Sequence, residues 1–298
     1  MNSMKIKDHS SRGFNAMKGV LLTILSLLCV LPFVVIVSGS FTSNIEIITN
    51  GFSLLPRGFT VEAYKTIFKT PEDILQAYKM NFYYTGIGTA LGLVIITLTA
   101  YVISRKEFKY RNTVSFLIYF TTIFGGGMIP WYLMYANVLN LRGTTLAIWF
   151  PALVTPFLVI LMRTFIVGAV PDAVVESAKI DGAGHWRIFW QIVLPVLGPG
   201  LATVGLFQAL GYWNDWYRSS MFSTSSKTWS LQFYLYDLVN STQAMRQMAQ
   251  YADVNTADLP TQSVKLAMSV VATGPILILY PFVQRYFVSG ITVGAVKG

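Results

Sequence analysis

The chain has 298 residues, 54% hydrophobic and 12% charged, with a mean hydropathy of +0.54; this balance excludes an ordinary soluble domain and makes the lipid bilayer its solvent. The net charge of +9 marks topology rather than nucleic acid, because Lys and Arg gather on the cytoplasmic face of membrane proteins. The single cysteine, Cys29, lies inside the first apolar run and supports no disulfide framework, thiolate metal site or redox role.

Residues 1–18 are polar and carry Lys5, Lys7, Arg12 and Lys18 ahead of an apolar run over 19–41. That run exceeds the about 7–15 residues of a secretory-signal core and lacks a clear small-x-small cleavage site, so it is expected to be a retained first span. A helix crosses about 30 Å of hydrocarbon with about 20 mostly apolar residues and satisfies its own backbone as it does so. Five further stretches meet this requirement: 82–103, 114–135, 146–165, 199–213 with an upstream extension, and 264–287. The expected fold is all-α, a six-span domain over 19–298 following a cytoplasmic tail. Gly125, Gly126, Gly127 and Pro130 interrupt the third stretch, Pro151 and Pro156 the fourth, and Pro195 and Pro199 the start of the fifth. Bends around a cavity and close helix packing both account for such breaks.

Placing both termini in the cytoplasm puts thirteen basic and five acidic residues inside and nine basic and eight acidic residues outside, as the positive-inside rule requires. The inner basic residues include Arg105, Lys106, Lys109 and Arg111 between the second and third spans, and Arg163, Lys179 and Arg187 around the loop over about 168–195. Two outer segments are long. Residues 42–81 hold a surface helix capped by Thr60 with Glu62 in its first turn. Residues 214–263 hold the aromatic cluster Trp229, Phe233, Tyr234 and Tyr236, a landing surface for something outside.

No phosphate-cradling loop, H-E-x-x-H helix or dinucleotide fingerprint occurs, and the two histidines, His9 and His185, lie in the tail and the inner loop. Metal catalysis, a histidine-based triad and nucleotide hydrolysis within the chain are therefore not expected. The interiors of the six spans carry no ionisable residue, which argues against an ion-driven transporter, although sodium coupling through backbone carbonyls stays open. Few polar groups sit at membrane depth. Gln208 either faces a pathway or joins two helices; Trp213 and Trp216 form an interfacial belt or a sugar-stacking gate; Asn214 and Asp215 cap a helix or meet a sugar.

The inner loop is the most structured water-exposed segment. Pro171 and Asp172 suit the first turn of a helix, 173–181 continue it, and Gly182 stops it. A second helix begins near His185 and Trp186 and leads through Leu194 toward Pro195. Ala178, Gly182, Ala183 and Gly184 carry little side-chain bulk, so a partner groove can approach the backbone, while Glu176 and Lys179 either pair across that contact or form a weak i,i+3 pair on a solvated surface.

Glu176, Ser177, Ala178, Lys179, Asp181, Gly182 and Ala183, read with Pro171, Ile188, Phe189 and Leu194-Pro195, resemble the EAA loop of permease subunits of ATP-binding-cassette (ABC) importers, with Ser177 in place of the first alanine. The similarity extends to Phe124-Gly125-Gly126-Gly127-Met128-Ile129-Pro130, to Trp213-Asn214-Asp215 and to the C-terminal stretch from Tyr280-Pro281 through Gly294-Ala295-Val296-Lys297-Gly298. These look like the oligosaccharide branch of the carbohydrate permeases, of the maltose type and the polygalacturonan type. The resemblance implies a type I importer permease fold, alternating access, and a coupling helix over 176–182 seated in a cytoplasmic ATPase dimer that binds ATP and Mg²⁺, with no cofactor in this chain. It also implies a tail at Lys297 and Gly298 that reaches the ATPases, a second homologous permease forming a heterodimer, an extracytoplasmic sugar-binding lipoprotein, and a prokaryotic cytoplasmic membrane. A permease for a non-sugar solute and an ion-coupled secondary transporter remain the alternatives.

Overall fold

The structure, a computed structural model, describes residues 12–251 and 262–278. The described residues form helices and the turns between them, with no strand beyond one isolated bridge between Thr42 and Phe59. The expected tail contacts at Lys297 and Gly298 and the end of the last apolar stretch lie outside the described residues.

The chain divides into two compact units, Met1–Lys69 with Val239–Val271, and Thr70–Leu238 with Ala272–Gly298. In the first, α1 (Arg12–Ser40) contains the first apolar run, and its membrane-length part is bare. Uninterrupted apolar side chains with no protein cover are what a lipid-facing helix presents. At its end the Ser40 hydroxyl meets the Tyr64 hydroxyl at 2.8 Å, and Phe41 stacks on Phe59. Two short helices follow, α2 (Asn44–Asn50) and α3 (Glu62–Ile67). Ser43 caps α2. The Thr60 hydroxyl accepts from the Glu62 amide, as the sequence leads one to expect.

The second unit is built on α4 (Pro71–Ser104), which starts eleven residues before the expected span. Its early start has a local cause: Pro71 stands in the first turn with Glu72 and Asp73, a favourable N-terminus that carries the helix out of the apolar zone. The third stretch divides into α5 (Arg111–Ile123) and α6 (Met128–Leu133), which continues as a π-helical turn to Val138. The chain turns through 114° at the glycines between them, and thirteen helical residues rise only about 20 Å, too little for one straight crossing. The break falls at the glycines that interrupt this stretch in the sequence: Gly125–Gly127 leave three consecutive residues without side chains to hold a helix.

The fourth stretch forms α7 (Leu146–Trp149), a 3₁₀ turn through Ala152 and α8 (Pro156–Ala169), bent by 45°. Pro156 removes an amide donor and pushes Thr155 to an extended conformation. The inner loop supplies α9 (Asp172–Ile180) and α10 (His185–Ile188), then a π-helical turn and α11 (Leu194–Val196). After an 82° turn comes α12 (Gly198–Trp213). The outer segment gives α13 (Tyr217–Phe222) and α14 (Leu231–Tyr251), and α15 (Gln262–Ile278) is the described part of the last apolar stretch.

Helices α4, α8 and α12 pack together around Ile96, Ala100, Val159, Met162, Ile166 and Val204, and the core continues into the inner loop through Val175, Ile188, Phe189 and Val193. This continuity places α9 and α10 on the floor of the helix bundle rather than on a free tether.

Candidate functional site

Three hydrogen bonds end α9. The Asp181 amide donates to the Ser177 carbonyl at 3.1 Å, the Gly182 amide to Lys179 at 2.9 Å, and the Ala183 amide to Ala178 at 2.9 Å. The last two form a Schellman motif with Gly182 at its left-handed position, φ +78°. In that motif the residues on either side of the turn touch, and here they are Ala178 and Ala183, both packed against the core cluster. Ala178 and Ala183 therefore serve the turn and the floor of the bundle, whereas Gly182 and Gly184 are exposed. What faces outward is different: Glu176, Ser177, Asp181 and Gly182 are exposed, and Ile180 and Trp186 are 87% and 67% exposed.

The three charges of α9 and the Asp181 carboxylate just beyond its end fall into two sets. Asp172 pairs with Lys106 at 2.6 Å, and the Lys179 ammonium donates to the Glu107 carboxylate. His185 Nε2 lies 3.6 Å from the same Glu107 oxygen. The hydrogen bond from Lys179 holds the Glu107 carboxyl below the usual glutamate range, and the one from Lys106 does the same for Asp172. Glu176 and Asp181 form no ion pair among the described residues. The i,i+3 pair that spacing allows between Glu176 and Lys179 is not made, because Lys179 turns inward. Lys106 and Glu107 were visible in the sequence only as part of a basic turn.

Within the bundle, Gln208 is buried and its hydrogen bonds are met by protein. Its Nε2 donates to the Ala152 carbonyl at 2.7 Å and to Leu153 at 3.2 Å, and its Oε1 accepts from the Thr155 hydroxyl at 3.4 Å. One turn on, the Tyr212 hydroxyl donates to the Trp149 carbonyl at 2.7 Å. Both side chains of α12 thus satisfy carbonyls at the α7–α8 break. A cavity of about 240 Å³ opens beside them, lined by Thr155, Phe157, Phe207, Gln208, Tyr212 and Arg218 among others.

Trp213 is buried, with its indole N–H donating to the Ala272 carbonyl at 3.1 Å and its ring edge-on to Phe82. Asn214 is exposed beyond the helix end. Asp215 accepts from the Arg218 amide in the first turn of α13 at 3.4 Å and pairs with the Arg218 Nε at 2.9 Å. The i,i+3 spacing allows this pair, but its burial is not legible in the local sequence.

Apolar helices broken at proline and glycine, resting on a structured inner loop, define an all-α, polytopic membrane protein. No protein-family model matches the chain. It is 36% identical over 278 residues to the polygalacturonan/rhamnogalacturonan transport system permease protein of Bacillus subtilis, covering 93% of this chain and 96% of that one. To the arabinooligosaccharides transport system permease protein of Halalkalibacterium halodurans it is 28% identical over 278 residues, covering 92% and 93%. Among solved structures, one chain of a bacterial ABC transporter involved in the import of the acidic polysaccharide alginate matches with a TM-score of 0.75 and 28% identity, over 96% of this chain and 99% of that one. The chain belongs to the permease subunits of sugar ABC importers.

Proposed function

We propose that this chain is one of two permease halves of an ATP-driven importer that carries an oligosaccharide inward by alternating access. Its partner half is a homologous permease, and the two form a heterodimer. ATP and Mg²⁺ bind to a cytoplasmic ATPase dimer, in keeping with a sequence that has no phosphate-cradling loop. An extracytoplasmic lipoprotein delivers the sugar to the outer segments, and Lys297 and Gly298 reach toward the ATPases. The bilayer is a prokaryotic cytoplasmic membrane with both termini inside, as the distribution of basic residues supports.

The observation that carries this reading is the outer surface of α9 and its turn. Ile180 and Trp186 stand bare beside the exposed carboxylates of Glu176 and Asp181 on a water-facing segment rooted in the core, and exposed apolar groups in such a setting mark a contact surface. ATP-driven closure of the ATPases moves that surface, and the bundle floor carries the motion into α8 and α12. Replacing Ile180 with Asp is expected to leave membrane insertion intact and to abolish both ATPase copurification and ATP-dependent sugar uptake in proteoliposomes. Uptake by the purified chain without any ATPase refutes the proposal, as does unchanged copurification of I180D.

A further inference from the structure

The two ion pairs on α9 have opposite polarity and meet adjacent residues of one turn. Lys106 takes Asp172 in the first turn of the helix, and Glu107 takes Lys179 in its last. Seven residues of helix separate these anchor points by about 10 Å, so the turn between α4 and α5 grips the helix at both ends rather than at one spot. The charge order admits a single alignment, because reversing α9 would set Lys106 against Lys179 and Glu107 against Asp172.

The turn itself is anchored. Arg105 is buried with its guanidinium over the Tyr101 ring at 5.2 Å and its Nε donating to the Ser104 hydroxyl at 3.0 Å. Arg163 of α8 donates through Nε to the Ile103 carbonyl at 3.2 Å, and the Tyr101 hydroxyl donates to the His185 carbonyl at 3.4 Å. The end of α4 and the turn that follows it therefore touch α8, both ends of α9 and the start of α10, while α4 packs along α12 and α8 in the bundle.

The geometry points to Lys106 and Glu107 as positioning residues that clip α9 to α4, so that displacement of α9 is delivered to α4 directly as well as through its covalent neighbours. This rests on the proposal that α9 docks an ATPase. The charges of α9 then divide between two roles, with Asp172 and Lys179 holding the helix to its own bundle while Glu176 and Asp181 face the partner. Exposed ion pairs contribute little to folding, so reversing them tests position without dismantling the fold.

The test uses the full transporter, with its ATPases, partner permease and binding protein, in proteoliposomes. Glu107→Lys and Lys179→Glu, each alone, are expected to lower sugar uptake per ATP hydrolysed by about fivefold or more while the ATPases still copurify, and E107K/K179E together to restore most of it. An unchanged ratio in the single variants overturns the clip, and so does a swap no better than either single change. Loss of ATPase copurification in Lys179→Glu also overturns it, by placing Lys179 on the partner-facing side. The docking proposal beneath it fails separately, through failure of the unaltered chain to copurify with ATPases. As a measurement independent of function, Lys106→Cys with Asp172→Cys in a Cys29→Ser background should cross-link in native membranes through a bifunctional thiol reagent about as long as the lysine side chain it replaces, since a direct disulfide needs Cβ atoms about 4 Å apart; absence of that cross-link removes the proposed contact.

Discussion

The carboxamide of Gln208 lies against the bare backbone of Gly92: a Cβ at Gly92 would stand 2.7 Å from both the Gln208 Nε2 and the Leu153 carbonyl oxygen. One turn earlier, Gly88 faces the Tyr212 ring in the same way. The two glycines on α4 and the two polar side chains on α12 share a spacing of four residues, which puts each pair on one helical face. A groove in α4 thus admits the side chains that satisfy the α7–α8 break.

Gly92→Ala is therefore expected to destabilise the chain by about 1–3 kcal/mol, the cost of overpacking a filled site. Because Gly88 meets a side chain rather than backbone, Gly88→Ala should be relieved in part by Tyr212→Leu, the double variant losing less than the sum of the two single losses. Gly86, on the same helix with nothing near its Cβ position, is the control. Thermal unfolding in detergent distinguishes these outcomes; equal midpoints for G92A and G86A exclude the groove.

Gln208→Leu removes the donor to two carbonyls and leaves them in an apolar interior. The expected loss is about 1–3 kcal/mol, the cost of buried acceptors without partners, with the preference among sugars unchanged. A changed sugar preference at an unchanged unfolding midpoint would instead put the carboxamide on the cargo.

How far the sequence could foresee this differs from residue to residue. Apolar length locates α1 and the membrane part of α4, since both are set by local composition. The proline and glycine breaks were visible too, but the angles were not, because 45° and 114° are decided by what packs on each side. At α9 the helix, its N-terminal proline and its Gly182 stop follow from local chemistry, and they form where that chemistry puts them. The inward direction of Ala178, Ala183 and Lys179 did not follow, because it depends on the α4–α5 turn, some seventy residues away in sequence. Trp213 illustrates the same limit: an aromatic at a span end reads as a belt residue, whereas its N–H is committed to the distant Ala272 carbonyl.

Acid should leave the clip on α9 intact until unusually low pH. Glu107 and Asp172 titrate below their ordinary ranges because Lys179 and Lys106 hydrogen-bond their carboxylates, with Arg105 adding to both, His185 to Glu107 and Arg111 to Asp172. A carboxylate depressed in the fold contributes stability that is fully present above its unfolded pKa and is lost as pH falls through the folded value. Amide-exchange protection of α9 is accordingly expected to hold from neutral pH down to the ordinary carboxylate range, to decline as pH falls through and below that range, and to weaken with added salt because both pairs are at least partly exposed. Loss of protection well above the ordinary glutamate range contradicts the assignment, and E107Q should lower protection of the C-terminal end of α9 already at neutral pH.

At Gly182 the constraint is conformational and not spatial, since its φ is +78° and a Cβ there meets nothing within 4 Å. Asparagine tolerates the left-handed region, whereas a β-branched residue is strained there by about 1–2 kcal/mol or more. Gly182→Asn should therefore keep the turn, and with it sugar-stimulated ATP hydrolysis in the assembled transporter. Gly182→Val should insert to the same level yet lose that stimulation, because the strained turn shifts Ile180 and Asp181 relative to the floor of the bundle. If bulk at the docking surface were the deciding factor, both variants would fail together; if neither loses stimulation, the turn has no part in coupling.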